Sequence, residues 1–74
     1  MTRKDAQIAY RGLWASWLLT ANDGRREWIE QHMDGLQPLI ARGPNTPEWQ
    51  SFIDTLPGFR DYWKNSAIPR IVAR

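Results

Sequence analysis

The side chains able to do chemistry are few in this chain, and their spacing is informative. His32 is the single histidine, and Glu27, Glu30 and Asp34 lie within five residues of it. A bundle-type Glu-x-x-His metal site would need a glutamate at position 29, which is Ile29. At 100° per residue, His32 falls in an apolar arc and the three carboxylates fall opposite. The geometry therefore predicts a partly buried structural or interface histidine and no metal centre. The carboxylates have the spacing of a solvated helix face. Their functional alternative is an acidic docking ridge for a basic partner. Asp54 and Asp61 stand alone in sequence, and Ser16, Ser51 and Ser66 have no nucleophile motif around them. The glycines form neither a phosphate-cradling loop nor a dinucleotide fingerprint. The expectation is a non-enzyme with no catalytic, cofactor-binding or metal-ligating residues.

Basic and aromatic residues occur together in "GFRDYWKNSAIPRIVAR", residues 58–74. Arg60, Lys64, Arg70 and Arg74 have the chemistry to contact phosphates, with Tyr62 as a stacking ring. Charge is unevenly spread. Residues 1–26 carry a formal +3, residues 27–54 carry −4 and residues 55–74 carry +3. An acidic centre between basic ends favours mixed surfaces over a broad nucleic-acid platform. Arg25 and Arg26 follow "NDG" at a helix start, where the helix dipole disfavours cations. Pairing with Asp61 or a partner contact would account for them.

The elements that must position these residues are helical. Helix 1, about residues 3–21, places Ala6, Leu13, Trp14, Trp17 and Ala21 within about 60° of Tyr10. Ile8, Gly12, Ala15 and Leu19 gather on the opposite side, so this helix has two apolar faces. Helix 2, about residues 24–42, carries Trp28, Ile29, His32, Met33, Leu36, Leu39 and Ile40 on one arc. Pro38 predicts a kink, or two short helices meeting near residues 35–38. Thr46 is the expected N-cap of helix 3, about residues 47–56, with Pro47 at its first position. A last helical piece spans about residues 58–66, and residues 67–74 form a tail. No window alternates as a strand does. The fold class is all-α, a single three- to four-helix domain built on a central, apolar N-terminal helix.

Seventy-four residues leave room for only one small core, yet the chain holds five Trp, two Phe and two Tyr. There is no cysteine, which removes disulfides and fits a reducing compartment. No segment has the length of a transmembrane span, and "MTRKDAQIAYRG" lacks a continuous apolar signal region. A cytoplasmic protein is expected, in the host cytoplasm if phage-encoded, with no membrane partner.

Trp14 and Trp17 should pack inward against Trp28, Leu36, Trp49 and Ile53. Gly12 and Ala15 should meet a neighbouring helix at close range. Apolar surface exceeds the interior available to hide it, and Trp, Tyr and Arg dominate protein interfaces. The expected function is protein binding through Ile8, Gly12, Ala15 and Leu19, by a homodimer or by an accessory subunit, adaptor or inhibitor of a larger protein. Compact phage or bacterial proteins often have such roles. A small nucleic-acid-binding module using the basic ends is the alternative, and an enzyme ranks third.

Overall fold

The computed structural model describes residues 1–43 and 45–67. Four α-helices follow in order: α1 (Arg3–Leu19), α2 (Asp23–Ile40), α3 (Pro47–Ile53) and α4 (Phe59–Tyr62). A single π-helical turn, Trp63–Ala67, continues α4. No strand occurs among the described residues. The tail beyond residue 67 lies outside them.

Each long helix starts at a side-chain cap. Thr2 Oγ1 accepts from the Asp5 N–H at 3.1 Å, and Asn22 Oδ1 accepts from the Arg25 N–H at 2.8 Å. Thr46 caps α3 in the same way, taking the Trp49 N–H, with Pro47 opening the helix. Helix 2 is one continuous helix and not two short ones. Helix α2 runs to Ile40, and Pro38 falls in its last turn, where it removes only the bond its own N–H would make to the Asp34 carbonyl. Helix α3 stops at Ile53, three residues earlier than its apolar spacing suggests. Leu56 continues the buried stripe from a turn. The chain then reverses at Leu56–Phe59, where Phe59 N–H donates to Leu56 O at 3.2 Å. Pro57 precedes Gly58 at φ 71°, the arrangement of a type II turn, which needs glycine at its third position.

The core is mostly aromatic. Tyr10, 1% exposed, stands edge-on to three rings: Trp49 at 5.4 Å, Phe52 at 5.5 Å and Phe59 at 5.7 Å between centroids. One turn on, Trp14 meets Phe59 edge-on at 4.9 Å and donates its indole N–H to Pro57 O at 3.0 Å. Trp63 closes the far side against Trp49, 5.0 Å away. Edge-to-face pairs of this kind add about 0.5–1.5 kcal/mol each beyond simple burial. Helix α2 contributes Ile29, Met33 and Ile40 to the same cluster.

One expectation about the core fails. Trp28 is 55% exposed and packs on none of the core rings; its partner is His32. Gly12 and Ala15 meet no helix within the chain. Both are exposed, and a Cβ placed on Gly12 would meet nothing within 4 Å. Helix α1 is accordingly covered on its Ala6–Tyr10–Trp14 side and open on the other.

Tyr10→Ala should reduce the unfolding free energy by about 3–5 kcal/mol, the range for deleting a large buried ring. Urea titration followed by far-ultraviolet circular dichroism measures this, and a loss near zero would contradict the packing described.

Candidate binding groove

Several expected site residues prove to be structural. Glu30 is half-buried and accepts two hydrogen bonds through Oε2, from Trp17 Nε1 and from the Tyr62 hydroxyl, both at 3.1 Å. Asp34 is 4% exposed. Only Glu27 of the proposed acidic ridge is open to solvent, so the three do not form a solvated docking face. The cause is a rotation of α2. Its buried side includes Asp34 and Gln37, while Trp28 and Leu39 turn outward. Trp17 and Tyr62 each present a polar hydrogen that must find an acceptor, and Glu30 provides it.

Arg26 is equally structural. Its guanidinium lies 4.1 Å from the Trp17 ring centroid, and its Nε donates to Thr20 O, the carbonyl at the end of α1, at 2.8 Å. That contact explains a cation in the first turn of α2: it serves the C-terminus of the preceding helix. It is not paired with Asp61.

Of the candidate nucleic-acid contacts, Arg60 forms an ion pair with Asp54 and donates to Gln50 Oε1 at 2.8 Å, tying α4 to α3. Tyr62 lies half-buried against Trp14, Trp17 and Phe59. Lys64 is exposed, and Arg70 and Arg74 lie outside the described residues.

Helices α1 and α2 form an antiparallel hairpin, and its outer side carries a groove of about 800 Å³. Gly12, Leu13 and Ser16 line it from α1; His32, Gly35 and Leu36 line it from α2. None of its walls is an acidic, lysine or arginine side chain. The groove is open because both helices offer glycine: a Cβ on either Gly12 or Gly35 would touch nothing within 4 Å.

Exposed apolar side chains continue the groove on both helices. Ile8, Ala15 and Leu19 stand four before, three after and seven after Gly12, on one face of α1. Ile8 is 57% exposed and Leu19 is 88% exposed. On α2, His32 leads to Trp28, whose ring lies 4.0 Å away, and Gly35 leads to Leu39. The partly buried His32 expected from sequence is in fact exposed, with Nδ1 2.9 Å from Trp28 O.

The structure thus joins the four interface residues expected from sequence to α2 residues that pattern reading had assigned to the core. A second signal was present: Trp28, Gly35 and Leu39 share one side of α2, as Gly12 and Leu19 do on α1.

Among the described residues no three metal-ligating side chains gather, and no helix is long and apolar enough to cross a membrane. Comparison with protein-family models, curated proteins and solved structures finds no match.

Glu30→Ala should cost about 1–3 kcal/mol, since two donors lose their shared acceptor. Glu30→Gln, which retains a carbonyl oxygen, should cost less. Denaturant unfolding of both variants, with the Trp17 indole proton followed by NMR, checks the order. Equal losses would mean that acceptor geometry is not what Glu30 supplies.

Proposed function

We propose that this chain is a small protein-binding module, acting as an accessory subunit, adaptor or inhibitor through the outer face of its α1–α2 hairpin. The observation that carries the reading is the continuity of that face. An uncharged groove is flanked by Ile8 and Leu19 on one helix and by Trp28 and Leu39 on the other, each about half exposed or more. Isolated exposed apolar residues are ordinary, but a contiguous set rimmed by polar residues marks an interaction surface. Trp28 has the size and rigidity of an interface anchor, and neighbouring leucine and isoleucine can exclude water around it. Recognition of this type is helix in groove, in which an amphipathic segment lays its apolar side between two helices. The role is one of binding, without chemistry.

The alternative, a nucleic-acid module, has less support. Arg60 and Tyr62, its basic and stacking elements, are already engaged by Asp54, Gln50 and Glu30.

The test is affinity capture with the wild-type chain and with an Ile8→Asp/Leu19→Asp variant, both shown by circular dichroism to be folded. A protein partner retained by the wild type and lost by the variant is expected. Identical capture by both would place binding elsewhere and overturn the reading.

A further inference from the structure

We propose that the groove is occupied by a second copy of the chain, two α1–α2 hairpins meeting face to face as an antiparallel four-helix bundle. This rests on the protein-binding reading above and narrows it to one partner. Lys4, Ile8, Arg11 and Ala15 are spaced i, i+4, i+7 and i+11, so they form one row along α1, and all four are exposed. Within the row, Lys4 and Arg11 lie on the side away from the groove. On α2, Asp23, Glu27 and Gln31 form a second exposed row, running outward from the groove wall at Gln31. The outer face is therefore apolar along its middle between Asp5 at one end and Arg25 at the other, basic along one edge and acidic along the other.

Such a face is complementary to itself. A two-fold axis parallel to the helices lays α1 of one copy over α2 of the other and repeats the contact. The short 20–22 connection makes residues equally distant from it level in the hairpin, so Arg11 is level with Gln31 and one turn from Glu27. The axis preserves that level. Arg11 of one copy then lies one turn from Glu27 in the other; in the single chain its guanidinium stands over the Phe52 ring, 5.1 Å from the centroid, and pairing with Glu27 requires it to swing away from that ring. Two edges of like sign would instead repel a second copy.

Size and shape agree. Two helices of about 25 Å, each about 10 Å across, present a projected footprint on the order of 500 Å². That approaches the roughly 800 Å² of accessible surface that each partner contributes to a stable interface. Gly12, Ala15 and Gly35 keep the middle of the face low, which permits the 8–10 Å axial separation of packed helices.

Sedimentation equilibrium from micromolar to millimolar concentration tests this directly. The wild type should sediment as a dimer that dissociates on dilution, and Ala15→Arg should be monomeric with unchanged helicity. Two charge variants make the pairing specific. One carries Lys4→Glu and Arg11→Glu, and the other carries Glu27→Lys and Gln31→Lys. Each alone should dimerise at least about tenfold more weakly, equivalent to about 1.4 kcal/mol. Their equimolar mixture should recover dimers, because each edge then meets its opposite in the other chain. A wild type monomeric at every concentration would overturn the second copy as occupant while leaving the protein-binding reading to the capture experiment. A dimer indifferent to Ala15→Arg, or a mixture no tighter than its components, would overturn the face-to-face arrangement.

Discussion

Tyr10 stands edge-on to Trp49, Phe52 and Phe59, and the rest of the fold depends on this insertion. Rings from α3 and α4, two helices of seven and four residues, close around one side chain of α1. Neither short helix would persist alone, because helix nucleation is costly and a few residues cannot repay it. Their stability is lent by the aromatic cluster. The Gly58 turn and the Arg60 contacts to Asp54 and Gln50 fix the angle at which Phe59 enters.

That cluster has a consequence for the opposite side of the hairpin. Once α3, α4 and the π-helical turn cover the Ala6–Tyr10–Trp14 stripe, no described element is left for the outer faces of α1 and α2. A second polar layer holds the hairpin together at its loop end. Arg26 covers the Trp17 ring and takes the last carbonyl of α1, while Glu30 gathers the Trp17 and Tyr62 donors. Trp17 is thus clasped between a cation and a carboxylate, and the charges near it serve the monomer. Of the charges in the outer rows, Arg11 covers the edge of the core over Phe52, while Lys4 and Glu27 are exposed.

Much of this was legible in the sequence. The all-α class, the two faces of helix 1 and the cap at Thr46 follow from periodicity and local hydrogen-bonding chemistry. The exposed positions of Ile8, Gly12, Ala15 and Leu19 agree with the separation of those faces. The orientation of α2 was not legible. Its apolar arc is wide enough to satisfy more than one rotation, and hydrophobicity alone favours burying Trp28 and Leu39. The rotation adopted buries Asp34 and Gln37 and places Glu30 against Trp17 and Tyr62. A hydrogen-bond requirement between residues 13 and 32 positions apart in the chain decided it. Such long-range needs leave no mark in a local window. The lengths of the last helices were blurred for a related reason: Leu56 continues the buried pattern from a turn, so apolar spacing persists after α3 has ended.

The central claim is that this domain closes its core without the outer hairpin face, leaving that face for a partner. Its most direct test is denaturant unfolding, at high dilution, of a chain in which Ile8, Leu19 and Trp28 are all replaced by serine. The account predicts an unfolding free energy within about 1 kcal/mol of the wild type, as for substitutions at exposed sites. A loss of several kcal/mol would show that these side chains belong to the folding core, and the claim would be contradicted.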